Sequence, residues 1–86
     1  MGSIIVTIIN KERTLNLDLE LPLSTTADRL FPHVIEIVKE VRRDTLWGTH
    51  PNRIINMRTG TVICGEESIE EWGVWNGDIL MLTGGR

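Results

Sequence analysis

"LNLDLELPLSTTADRLFPHVIEIVKEV", residues 15–41, changes its hydrophobic period in mid-stretch, and that change decides the fold. Up to Pro22 the period is two: Leu15, Leu17, Leu19 and Leu21 alternate with Asn16, Asp18 and Glu20. Successive side chains of a strand point to opposite faces, so the alternation predicts a strand with four leucines on one dry face. Pro22 ends it, because proline has no N–H to give to a ladder. Beyond Ser24 the period becomes helical. Leu30, Val34, Ile37, Val38 and Val41 make one apolar stripe, and Glu36, Lys39, Glu40 and Arg43 face away from it. Ser24, Thr25, Thr26 and Asp28 are candidate caps. Pro32 must fall early, because a proline deeper in a helix breaks a hydrogen bond. A regular helix over residues 28–43 is expected.

Outward from this stretch the chain reads as strands and turns. Residues 3–9, rich in Ile and Val, predict a first strand, and residues 10–13 a hairpin turn into the leucine strand. Residues 44–52 are a loop holding Trp47, Gly48 and Pro51. Residues 53–57 and 61–64 are short β-prone runs around Arg58-Thr59-Gly60, a second hairpin. Ile69 and Trp72 stand three apart and suggest one helical turn. Asn76-Gly77 is a strong turn signal, and residues 79–82 make the last strand. A helix across one face of a sheet lets both bury their apolar sides. The expected fold class is therefore α+β: a mixed β-sheet of four to five strands with one long helix, the β-grasp plan. A helical crossover allows the first and last strands to lie parallel at its centre.

Composition bounds the function. The chain has 86 residues, enough for one domain over residues 1–86, with an ordered core at about 3–83 and a flexible tail at 84–86. Net charge is −3 and no basic cluster is present, which argues against nucleic acid as a partner. The longest apolar run, residues 4–9, is interrupted by Thr7 and is too short to insert directly into a membrane. The opening residues lack a signal peptide's basic region and long apolar core, and the single cysteine cannot form an internal disulfide. A cytoplasmic location is expected.

No constellation supports catalysis, a cofactor or a metal. Cys64 ends an apolar strand and is expected to be a small buried hydrophobe. His33 and His50 lie far apart without ligand spacing. Glu66, Glu67, Glu70 and Glu71 lack the alternating oxygen ligands of a calcium loop and read as a solvated acidic face. Trp72 is expected in the core. Trp75 and Trp47 are either exposed anchors or packed on a sheet edge.

Five stretches carry a resemblance: "LPLS" (residues 21–24), "VIEI" (34–37), "RIIN" (53–56), "CGE" (64–66) and above all "SIEEWGVWNGDILML" (68–82). On these the chain resembles ubiquitin-like β-grasp proteins, most closely the YukD/EsaB family of type VII secretion in Gram-positive bacteria. The resemblance spans nearly the whole chain. It implies a non-enzymatic protein-interaction module whose partner is a secretion-system component. It also implies docking through the outer face of the sheet, where Ile55 and Leu82 are the expected apolar centre, with Arg53 and Arg58 around them and Trp75 nearby. Plain cross-strand pairing is the other reading of Ile55 and Leu82.

Two features depart from that family: the loop at residues 44–52 and the tail "TGGR". Gly84-Gly85 offers an alternative function, a bacterial modifier or carrier. A processing peptidase would first remove Arg86, and an adenylating and conjugating enzyme would then use the glycine carboxylate. Glycine suits such a tail because it lacks Cβ and lets backbones approach. A frayed terminus has the same composition.

Overall fold

In the computed structural model, residues 2–41 and 52–84 are described. The elements are β1 (Ser3–Asn10), β2 (Asn16–Pro22), α1 (Ala27–Val41), β3 (Arg53–Asn56), β4 (Thr61–Ile63) and β5 (Ile79–Thr83). The five strands form one sheet in the order β2-β1-β5-β3-β4. β1 pairs antiparallel with β2 and parallel with β5; β3 pairs antiparallel with both β5 and β4. The expected parallel pair thus lies at the centre.

The core forms where the two periodicities meet. Ile4, Val6 and Ile8 from β1, Leu80 and Leu82 from β5, and Ile54 and Ile63 from β3 and β4 are buried beneath Leu30, Val34 and Val38 of α1. Phe31 and Ile35 pack against this cluster from the same helix. The stripe expected to contain Ile37 has therefore shifted: Ile37 is half-buried, and Ile35 takes the packing role. The Val41 side chain and Arg43 lie outside the described residues, as do Trp47 and His50.

The leucine alternation on β2 is present but graded. Leu15 and Leu21 are 1% exposed, whereas Leu17 and Leu19 are half-buried. All four do not sit equally deep because β2 is an outermost strand and nothing covers its free side among the described residues.

The start of α1 is fixed by tertiary contacts. The Ala27 and Asp28 amides donate to the carbonyls of Glu67 and Gly65, at 3.0 and 2.9 Å. Main-chain carbonyls from a distant loop thus satisfy two of the donors that a helix leaves unpaired. Pro32 lies inside the helix without ending it. The loop that supplies these carbonyls closes with its own capping box: Ser68 N donates to Glu71 Oε1 at 2.8 Å, and Glu71 N donates to Ser68 Oγ at 3.2 Å. Ile69 from this turn is fully buried, and Trp72 is half-buried against the core.

Candidate docking face

The face of the sheet away from α1 follows from strand parity. Ile4, Val6 and Ile8 point inward, so Ile5, Thr7 and Ile9 point outward, and likewise Ile79, Met81 and Thr83 on β5. The register assembles these into rows. Ile9 lies opposite Met81, Met81 opposite Ile55, and Ile55 opposite Val62, an apolar line across four strands. Thr7 lies opposite Ile79, and Met57 N donates to Ile79 O at 2.9 Å. Ile5 O accepts from Gly77 N at 2.7 Å, and Ile5 N donates to Asn76 Oδ1 at 2.8 Å, which ties Ile5 to the turn after Trp75.

This face is unusually apolar for exposed surface. Trp75 is 63% exposed, Ile5 51%, Ile79 43%, Met57 40% and Val62 37%. Scattered apolar residues are normal on a protein surface, but residues aligned by strand register form a patch, and such patches mark interaction sites.

A polar cluster joins the end of β3 to the turn that leads into β5. Arg58 Nε lies 2.8 Å from Asp78 Oδ1, and Arg58 Nη2 lies 3.1 Å from Asp78 Oδ2 and 2.6 Å from Gly73 O. The same guanidinium sits 3.8 Å from the centroid of the Trp75 ring, a cation–π contact. Asp78 Oδ2 also accepts from Trp75 N at 2.8 Å and from Asn56 Nδ2 at 3.1 Å. Burial pushes the Asp78 carboxyl up, but the bonds from Arg58, Trp75 and Asn56 outweigh it and hold the group below the usual carboxylate range. The Arg58 guanidinium is raised, chiefly by its bond to Asp78. Both groups are therefore charged at neutral pH. Gly77, at φ 89°, makes the tight turn that returns Asp78 to this cluster.

The structure corrects several sequence expectations. Leu82 is not on the outer face: it is 2% exposed, lies opposite Ile54, and belongs to the core. Period two on β5 turns Leu80 and Leu82 inward and presents Met81, so Met81 is the true neighbour of Ile55. Ile55 does face outward, half-buried between Met81 and Val62. Arg53 is exposed on the same face. Arg58 is bonded into the polar cluster and is not a free rim cation. Nothing in the sequence pairs Asn56, Arg58 and Asp78, because the contact spans about twenty residues.

Cys64 is exposed, not buried: Ile63 takes the inward position, so the next residue turns out. Among the described residues no group of His, Cys, Asp or Glu is placed to hold a metal ion, and no helix is long and apolar enough to cross a membrane. Thr83 is paired with Arg53, and its carbonyl accepts from Asn52 N at 3.0 Å. Gly84 follows at φ 86°, where an added Cβ would overlap Asn52 Oδ1. Gly85 and Arg86 lie outside the described residues.

Comparison with known proteins gives consistent results. A family model described as "WXG100 protein secretion system (Wss), protein YukD" matches residues 3–82. No curated protein matches the chain in sequence. Among solved structures, the EccD5 ubiquitin-like domain from Mycobacterium xenopi superposes with a TM-score of 0.74 at 16% identity, covering 96% of this chain and 94% of that one. The ubiquitin-like domain of the type VII secretion system protein ECCD1 from Mycobacterium tuberculosis gives 0.68 at 25% identity, with coverage of 98% and 100%. A designed protein based on ubiquitin gives 0.65 at 21% identity, with coverage of 99% and 90%. The ubiquitin-like fold expected from the sequence is thus the one observed.

Proposed function

The chain belongs to the YukD family of the WXG100 protein secretion system, and from that membership we propose that it works there as a non-catalytic, cytoplasmic docking module. Its partner is a protein component of the secretion machinery. The observation that supports this most is the aligned outer-face patch of Ile5, Ile55, Met57, Ile79 and Met81, with Trp75 exposed in the turn that Asn76 ties to Ile5. Arg53 supplies a cation at the rim. The brace of Arg58 on Asp78 fixes one face of Trp75 and leaves the ring 63% exposed, a rigid aromatic of the kind enriched at binding hot spots. The EccD domains with the same fold, described as ubiquitin-like domains of type VII secretion proteins, suggest the setting. This reading makes no use of Gly84-Gly85.

The test is genetic. Deleting the gene in its source bacterium should reduce the amount of WXG100 protein in the culture medium. A copy carrying Ile79→Asp should fail to restore it although the variant folds, and a copy ending at Thr83 should restore it fully. Unchanged secretion in the deletion strain would remove the proposal. If the Thr83-ended copy fails while Ile79→Asp succeeds, the function lies in the tail. The alternative, conjugation through Gly84-Gly85 after loss of Arg86, would then be examined directly. ATP and the organism's own adenylating enzyme should form an adenylate or thioester on the chain ending at Gly85.

A further inference from the structure

We propose that the free edge of β2 is a second protein-binding site, which takes an extended segment of a partner that alternates basic and apolar residues. It is separate from the outer-face patch. β2 is outermost in the sheet and seven residues long, whereas β4 at the other margin has three. The main-chain bonding on β2 can be derived from one contact. Leu23 N donates to Gly2 O at 3.0 Å, just beyond the Ser3–Pro22 pair. In an antiparallel ladder every second pair exchanges its hydrogen bonds. Leu21, Leu19 and Leu17 therefore bond inward to Ile4, Val6 and Ile8. Asn16, Asp18 and Glu20 turn their N–H and C=O groups to the open side, and no described residue bonds them there.

The two faces of this edge specify what fits. On the helix side, Leu17 and Leu19 of β2 and Phe31 and Ile35 of α1 are half-buried around the core. Apolar residues at alternate positions of an added strand would cover them. On the other side stand Asp18 and Glu20. Each accepts one hydroxyl bond, from Thr7 Oγ1 at 2.8 Å and from Ser3 Oγ at 2.6 Å, and neither has an ion-pair partner among the described residues. Opposite charges facing one another across a strand pair attract, and like charges repel. The segment's outward residues are therefore Lys or Arg. A second copy of this chain pairing through β2 would set Asp18 and Glu20 against their own kind, so the occupant is another protein. Charge on an edge strand also guards against indiscriminate pairing. Here the same two carboxylates disfavour an acidic strand and favour a basic one. Pro22, which has no N–H to offer, closes the site at its end.

The experiment is an NMR titration of the full chain with a blocked peptide alternating lysine and valine, and separately with one alternating glutamate and valine. The basic peptide should shift the Asn16, Asp18 and Glu20 amides and slow their exchange with solvent; the acidic one should not. The double variant Asp18→Lys, Glu20→Lys should weaken the basic peptide by roughly tenfold and bind the acidic one instead. Asp18→Pro should keep the fold, because its N–H faces away from β1, and should abolish binding. Equal binding of both peptides, shifts centred on Ile5, Ile79 and Trp75, or no shift at millimolar peptide would each overturn the proposal.

Discussion

Arg58 and Asp78, twenty residues apart in sequence, form a two-point ion pair that joins the β3–β4 turn to the approach of β5. Asp78 is 6% exposed and Asn56 is fully buried beside it. A buried carboxylate keeps its charge only where its hydrogen-bond capacity is met, and here Arg58, Asn56 and the Trp75 amide meet it together.

Asp78→Ala should cost about 1–3 kcal/mol, mainly because it leaves the Asn56 amide buried without its acceptor. Urea unfolding of the variant beside wild type measures this. A loss below about half a kcal/mol, within the range of ordinary surface substitutions, would show that the cluster adds nothing to stability.

The same pair makes an acid-sensitive contribution. The folded Asp78 carboxyl is held below its unfolded value of about 3.9. The contribution is therefore complete above about pH 4 and is lost as pH falls through the lower, folded value. Melting temperature should drop more steeply in wild type than in Asp78→Asn between about pH 4 and pH 2. Parallel acid limbs in the two proteins would contradict the lowered carboxyl.

Leucines of one strand should separate by depth. Leu21→Ala, at a site 1% exposed, should cost about 2–5 kcal/mol. Leu17→Ala, on the same face but half-buried, should cost roughly 1–2 kcal/mol. Equal losses would mean that β2 is covered on its free side.

The exposed Trp75 and the buried Leu82 should report different losses, one of binding and one of stability. Trp75→Ala keeps the amide that donates to Asp78 and should lower affinity for the secretion partner by tenfold or more, as at a hot spot. Leu82→Ala should instead lower stability, because that side chain lies in the core. Calorimetric titration and thermal melts on both variants separate the two effects.

Gly84→Ala should loosen the end of β5. The φ of 86° disfavours any residue with a Cβ, and the added carbon would overlap Asn52 Oδ1. Faster solvent exchange of the Asn52 amide, which donates to Thr83 O, is the expected readout.

The sequence by itself determined the elements and their order. Period two in Leu15 to Leu21 and helical spacing in Leu30, Val34 and Val38 are local properties, written every second or every third to fourth residue, and they were legible without a fold. The resemblance carried by "SIEEWGVWNGDILML" likewise pointed to the family. Tertiary structure alone decided which face each short strand presents. In a five-residue run such as "ILMLT" both parities are apolar, so only the register against Ile54 and Ile55 buries Leu82 and exposes Met81. It also decided how deep Leu17 lies, since an edge strand lacks a neighbour that composition could announce. The brace of Arg58 on Asp78 and the capping of α1 by Gly65 and Glu67 were illegible for the same reason. Each joins groups that meet only after the sheet has closed, and an interaction over twenty or forty residues leaves no period in the sequence.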